Sequence, residues 1–343
     1  MKKILLIGAS GQLGTRIFRK LTEAGYTHIR ILVREDSRYQ HLLSANPEVF
    51  VGDLRDTESL KPALLGVDTV ITTANSAAPR KKEDSFKSVD TRGMTKLVDE
   101  AKKAGIGHFV FTSIKPLSAA TDKWLPLPKA KRIVEQHLIY SGLNYTILQP
   151  DAFMDVYFMF LGTEIPTLGD EAPLIGRDYK FMQTFFKGIK DDIARGKIGI
   201  IGDGKARHSY ITVDNVADFT VKALKEPSMI NQKIPLGGPE ALSTLEVKAI
   251  FEKVLGKELK VKHTPALLMK IMGNLLAPFN TNASNIMKLN YIAATEESII
   301  DSSDLAKKLG IRLTTAEEFL RQKLALQAKT AKLVPEPKLV TKA

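Results

Sequence analysis

From Lys3 to about Pro150, short apolar, β-rich runs alternate with longer segments whose apolar positions recur at helical spacing. That alternation predicts a parallel sheet covered by helices, since a strand buried on both faces is apolar throughout and its crossover helix is apolar on one side only. Strands are expected at Lys3 to Ile7, Ile29 to Val33, Glu48 to Val51, Thr69 to Thr72, His108 to Thr112 and Asn144 to Leu148. Helices are expected between them, for example Leu13 to Ala24 and Thr91 to Ala104, with Gly25, Gly105 and Gly142 at helix C-terminal caps.

Beyond Pro150 the rhythm changes to an aromatic and Met-rich stretch from Phe153 to Phe160, a glycine-containing loop region and a mostly helical remainder. The pattern therefore predicts an α/β fold of the Rossmann, doubly wound type with a smaller, mostly helical C-terminal lobe. Residues 1–152 form the nucleotide-binding domain, its sheet completed by later segments. Residues 153–326 form the substrate lobe over the carboxyl edge of the sheet, and 327–343, which lack apolar periodicity, are expected to be disordered. An apolar stripe through Leu267, Leu268, Ile271, Met272 and Leu275 reads as core, with a dimer contact or a membrane-surface face as alternatives.

Composition narrows the chemistry. The 343 residues include no cysteine, which excludes disulfides, thiolate metal sites and a cysteine nucleophile. The six histidines show no metal-ligand spacing, so no metal is expected. No apolar run approaches the roughly 18 residues of a membrane span, and the chain reads as soluble and cytoplasmic. The net charge of +12 is scattered among acids rather than drawn into a stripe, and part of it lies in the tail at Lys329, Lys332, Lys338 and Lys342. Nucleic acid is therefore not an expected partner.

The segment Gly8-Ala9-Ser10-Gly11-Gln12-Leu13-Gly14 falls between the first strand and the first helix. In that turn Gly8 permits the sharp bend, Gly11 lets the backbone approach a diphosphate and Gly14 lets helix and strand pack closely, while the helix N-terminal amides attract negative charge. The spacing is G-x-x-G-x-x-G, and its place in the strand-turn-helix unit makes the reading specific. At the end of the second strand stands Arg34, where an NAD-preferring protein usually has an acid. A cation there suits a 2′-phosphate, so NADP(H) is the expected cofactor, with NAD(H) as the alternative. Arg38 is a second cation nearby, whereas Glu35 and Asp36 weigh against the phosphate, and the plain alternative for Arg34 is a solvated strand end. Asp53 and Leu54 are placed to reach the adenine, or Asp53 to form a turn. Ala74, Asn75 and Ser76 are small and polar where the chain passes the nicotinamide ribose.

Together the Gly8 to Gly14 turn, Arg34, Gly52-Asp53-Leu54, Thr112-Ser113, Lys131 with Glu135, and Tyr145 to Pro150 resemble the atypical short-chain dehydrogenase/reductases of the NmrA-like group. Asp203-Gly204, Tyr210-Ile211, Asp214 to Asp218, Gly237 to Glu240, Leu309-Gly310 and Thr314-Thr315 carry the resemblance to about residue 325. It implies an NADP(H)-preferring Rossmann domain in which Ser10, Gln12, Leu13, Thr112, Lys131 and Pro150 border the cofactor. It also implies one of several activities: reductases of quinones or isoflavonoids, redox sensors without turnover, or accessory subunits of membrane redox complexes.

Short-chain dehydrogenases generally place a tyrosine four residues before the catalytic lysine, so that both share a helix face. Lys131 fits the lysine, but four residues earlier stands Leu127, which can neither donate a proton nor stabilise an alkoxide. Pro126 and Pro128 also argue against a helix there. Lys131 and Ser113 are the candidate catalytic residues, the first as electrostatic support and the second as a hydrogen-bond donor to a substrate oxygen. A solvent-facing lysine and a capping serine are the plain alternatives. Phe153 and Tyr157 are expected to line a pocket for a flat or apolar substrate, or else to be core. His208 could face substrate but is read as a structural or solvated loop residue, with Asp214 as a helix cap. The expected function is an NADPH-dependent reduction of a small carbonyl or quinone-like substrate. The alternatives are a non-catalytic NADP(H) sensor or assembly protein, a homodimer or protein partner being compatible with each, and a sugar-nucleotide epimerase or dehydratase, which the missing tyrosine disfavours.

Overall fold

A computed structural model describes residues 2–77, 79, 81, 83–168 and 192–333. Seven parallel strands form the central sheet in the order β3-β2-β1-β4-β5-β6-β9. They are β1 (Ile4–Ile7), β2 (Ile29–Val33), β3 (Glu48–Val51), β4 (Thr69–Thr72), β5 (His108–Thr112), β6 (Tyr145–Pro150) and β9 (Gln232–Leu236). The order reverses beside β1, and the carboxyl ends of β1 and β4 open a crevice of the kind that holds ligands in such sheets.

Strand period two and helix period 3.6 together explain the layers. Along β1, Ile4 and Leu6 face one side, with Ile17, Phe18 and Leu21 of the helix Gln12–Glu23 and with Val216, Ala217 and Phe219 of the helix Val213–Ala223. Leu5 and Ile7 face the other, with Leu60 and Leu64 of the helix Thr57–Leu64, Leu97 and Val98 of Met94–Lys103, and Val134 and Leu138 of Pro126–Tyr140. The C-terminal lobe has a separate core in which Phe158 meets Tyr210, Phe251 and Phe319 edge to face. The lobe also contains short strands, β7 (Lys197–Ile201) paired with β11 (Lys260–Thr264) and β8 (Arg207–His208) paired with β10 (Leu242–Ser243). No helix of the described residues is long and apolar enough to cross a membrane.

Several sequence expectations change. The sixth strand continues to Pro150 because β9, arriving from far along the chain, pairs with it through Pro150 opposite Leu236. Pro126 and Pro128 do not prevent a helix: Pro126 opens Pro126–Tyr140, where the first-turn amides have no intrahelical partner to lose. Thr212, not Asp214, caps Val213–Ala223, its hydroxyl accepting from Asn215 N at 3.1 Å. The 267–275 stripe is not core. In the helix Ala266–Leu276 the buried positions are Met269 and Gly273, while Leu267, Leu268, Ile271, Met272 and Leu275 are exposed. The final helix, Ala316–Leu333, runs past Leu326, and the remainder of the expected tail lies outside the described residues.

His108, at the start of β5, is buried with Nε2 2.9 Å from Thr146 Oγ1. Burial, helped by the charge of Lys2, lowers its pKa to about 4. Between pH 6.5 and 4 the unfolded chain binds a proton that the folded chain refuses, so stability falls as pH drops through this window, by ~2 kcal/mol from this group. Urea unfolding at pH 7 and pH 4.5 should show a smaller loss for His108→Gln than for wild type; equal losses would remove His108 from the account.

Candidate functional site

A cavity of about 610 Å³ lies along the carboxyl ends of the central strands, beneath the C-terminal lobe. At one end β1 turns through Gly8 to Gly11 into the helix Gln12–Glu23. Gly8 sits at φ +88°, and a Cβ there would meet Thr73 Oγ1 at 2.6 Å. Gly14 stands off the cavity, and its role is packing: a Cβ would meet Gly8 O at 2.0 Å. Gly8, Ser10, Gly11, Gln12 and Leu13 line the cavity. The first helical turn carries no acid, and no side chain caps it. Gln12 Nε2 and Thr112 Oγ1, both in cavity-lining residues, are buried with no hydrogen-bond partner. A helix N-terminus left open, a buried amide donor with nothing to bind and a glycine turn suit a diphosphate at this end.

Next to it, Arg34, Asp53 and Leu54 line the cavity. Arg34 is not a solvated strand end. Its Nη1 donates to both oxygens of the buried Asp84, at 3.0 and 2.8 Å, and Asp84 also lies 3.4 Å from Arg55. Burial works to raise the Asp53 pKa, but hydrogen bonds from Arg55 outweigh it and hold the carboxyl below its usual range. Both Asp53 oxygens are engaged by Arg55, at 3.0 and 2.7 Å. Asp84 and Arg55 were invisible as partners in the sequence, because the segment bringing Asp84 to Arg34 comes from 50 residues away. Ala74, Asn75 and Ser76 follow β4 along the cavity, with Ser76 fixed by Asp90, which accepts from its amide at 2.9 Å and from its hydroxyl at 2.5 Å.

At the far end stand Thr112, Ser113, Lys131, Pro150, Phe153 and Tyr157. Lys131 is buried rather than solvent-facing. Its Nζ donates to Thr112 O at 3.0 Å and lies 4.7 Å above the Phe111 ring. Burial pulls its pKa below the usual lysine value, opposed by the carboxylates of Asp90 and Glu135. Ser113 is not placed to donate outward, since its hydroxyl donates to Glu135, which also accepts from Gln149 Nε2 at 2.9 Å. Leu127, one turn before Lys131 on the same helix, lines the cavity, so the spacing argument holds and its conclusion stands: an alkyl group fills the place of the phenol. The Tyr157 hydroxyl bonds Thr244, burial pushes its pKa up, and its ring lies 5.1 Å from that of Tyr210. The aromatic stretch divides: Phe153, Val156, Tyr157 and Phe160 face the cavity, while Met154 and Phe158 belong to the lobe's core.

The polar cluster in the cavity is only partly legible in the sequence: Lys115 and Asp151 were missed, and His208 reads there as a loop residue that could face substrate. Lys115, Asp151 and His208 meet there, with Lys115 Nζ 2.5 Å from Asp151 Oδ1 and 3.1 Å from His208 Nδ1. Lys115 and Asp151 follow the ends of β5 and β6, positions that the fold class itself marks as ligand-facing. His208 carried no such signal, since only the lobe's packing brings it there.

The NmrA-like family pattern matches residues 1–320. Photosystem II assembly factor Ycf39 of Synechocystis sp. is 27% identical over 328 residues, covering 93% of this chain and 90% of that protein. NAD(P)H azoreductase of Xenophilus azovorans is 28% identical over 257 residues, covering 75% of each chain. Among solved structures, NADPH-dependent quinone oxidoreductase QOR2 of Escherichia coli, complexed with NADPH, superposes with a TM-score of 0.68 at 19% identity, covering 94% of this chain and 99% of that one. The chain is a member of the NmrA-like family, built on a Rossmann-like α/β fold.

Proposed function

We propose that this protein binds NADP(H) along the carboxyl edge of its sheet and reduces a small carbonyl or quinone-like molecule. The observation that carries the proposal is one continuous cavity that joins the uncapped helix N-terminus at Gly11 and Gln12 to the buried Lys131. When bound, the cofactor supplies a hydride. The chain's own residues do the rest. The Gly8 to Gly14 turn and Gln12 hold the diphosphate, Arg34 faces the 2′-phosphate, and Leu54 and Asp53 border the adenine. Lys131, with its charge close to Thr112, stabilises negative charge growing on the substrate oxygen. Phe153, Tyr157 and Leu127 give the substrate an apolar wall. The azo and quinone reductase names of relatives agree with this reading.

Absorbance at the reduced nicotinamide band tests it, with a panel of quinones and aldehydes as acceptors. Oxidation of NADPH by some of them is expected. Tight binding with no acceptor consumed would favour the second reading, a cofactor-binding accessory or sensor, for which Leu127 in the phenol position and the assembly-factor relatives speak. Arg34→Gln should lower the preference for NADPH over NADH at least about tenfold, or ~1.4 kcal/mol. An unchanged ratio of dissociation constants would mean that Asp84 keeps Arg34 from the nucleotide.

A further inference from the structure

We propose that Lys115 is the proton donor of the reduction, held in place by Asp151 and His208, and that it supplies the proton for which Leu127 has no group. The inference rests on the reductase reading and goes beyond it by assigning the acid.

Three of the other cavity side chains are committed elsewhere, while the Gln12 amide and the Thr112 hydroxyl, both without a partner, are not acids near neutral pH. The Ser113 hydroxyl donates to Glu135, Lys131 Nζ donates to Thr112 O, and the Tyr157 hydroxyl bonds Thr244. Lys115 is built differently. Its amide donates to Pro150 O at 3.0 Å, and its carbonyl accepts from Arg132, which fixes the residue between the ends of β5 and β6. Asp151 is fully buried and rigid: Oδ1 accepts from Ala152 N at 2.7 Å and Oδ2 from Ser209 N at 3.1 Å. Oδ1 also takes the Lys115 ammonium.

His208 fixes the protonation pattern. Its Nε2 lies 2.7 Å from Ala293 O, and a carbonyl only accepts, so Nε2 carries the hydrogen. Nδ1 is then a lone pair, and at 3.1 Å from Nζ it can only receive. Burial, and after it the Lys115 charge, keeps His208 below its usual pKa and so neutral. Paired with the buried Asp151 carboxylate, the lysine is an ammonium. Of its three N–H groups, Asp151 and His208 take two, and the third has no partner among the described residues.

Lys115 also stands at a seam. It lines the main cavity and, with Glu296 and Glu297, a second one of about 340 Å³. As hydride reaches the substrate carbon, the carbonyl π pair moves to oxygen, and the oxygen takes a proton from Lys115 Nζ. The amine left behind recovers its proton from water entering through the second cavity. The charged and titratable groups around Nζ are Asp151, His208, Glu296 and Glu297, with Tyr157 and Tyr210 packed on the His208 side, Lys131 across the main cavity and Arg132 at the Lys115 carbonyl.

Lys115→Arg keeps the positive charge and the Asp151 pair but does not release a proton near neutral pH. The full-length variant should melt close to wild type and bind NADPH with a dissociation constant within about threefold. It should lose at least about 100-fold in kcat, the low end of what a positioned acid contributes. It should also lose the alkaline limb of the kcat profile, which His208→Leu, removing an acceptor of the ammonium, should move to lower pH. In the cofactor-free protein, ¹⁵N NMR of His208 should show hydrogen on Nε2 and an accepting Nδ1 at pH 7. An Arg variant with wild-type kcat, or a doubly protonated His208 at pH 7, overturns the assignment of Lys115 and leaves the reductase reading intact. Failure of wild type to oxidise NADPH with any acceptor removes both.

Discussion

Gly11→Asp should leave the fold as stable as wild type, or slightly more so, and abolish cofactor binding. Gly11 is the N-cap of the helix Gln12–Glu23 at φ −88° and ψ 170°, angles that any residue adopts, and no side chain caps that helix. Aspartate is among the best N-caps, so its carboxylate accepts from the first-turn amides and the substitution should be neutral to favourable by a few tenths of a kcal/mol. Those amides are the ones proposed to hold a diphosphate, and a fixed negative charge among them both occupies and repels. A loss of more than 100-fold in NADPH affinity, about 2.7 kcal/mol, is expected by calorimetry alongside an unchanged melting temperature. Undiminished affinity would place the cofactor elsewhere.

Lys131→Met should separate chemistry from binding. Methionine approximates the buried alkyl stem and keeps contact with the Phe111 ring, while the ammonium over Thr112 is lost. Removing one preorganised positive donor from a water-poor site costs about 100- to 1000-fold in kcat where charge develops in the transition state. The variant removes the cation that opposes the burial of Asp90, which moves that carboxyl further above its usual pKa, a direction burial already imposes, while Glu135 keeps its pair with Arg132. As pH rises above the usual carboxylate range the unfolded Asp90 ionises and the folded one resists, so the variant should lose more stability than wild type over that rise, alongside the kinetic loss. Full turnover in Lys131→Met would confine Lys131 to a structural role.

The sheet was largely readable because its signals are local. Fully buried strands such as Ile4–Ile7 and His108–Thr112 leave uninterrupted apolar runs, and Gly25, Gly105 and Gly142 adopt the positive φ values, +81°, +71° and +80°, that their cap positions require. The glycine turn between β1 and the helix Gln12–Glu23 was readable for the same reason, since all its parts are consecutive. The Lys131 end of the cavity was half legible. Lys131 and Leu127 share one helix, so spacing related them despite the prolines, but His208 comes from beyond residue 200 and meets Lys115 only through packing of the lobe. Spacing also misjudged Leu267 to Leu275, because helical periodicity reveals an apolar face without revealing whether anything covers it. Arg34 shows the same limit at a single residue. Its position at the end of β2 was evident, whereas its bond to Asp84 was not.

Titration calorimetry of the full chain with NADPH and then NADH, paired with thermal melting, tests the central claim most directly. Heat of binding, a higher melting temperature with either nucleotide and tighter association of NADPH are expected. No heat and no change in melting with both nucleotides would contradict it, and the reductase and the accessory reading would fall together.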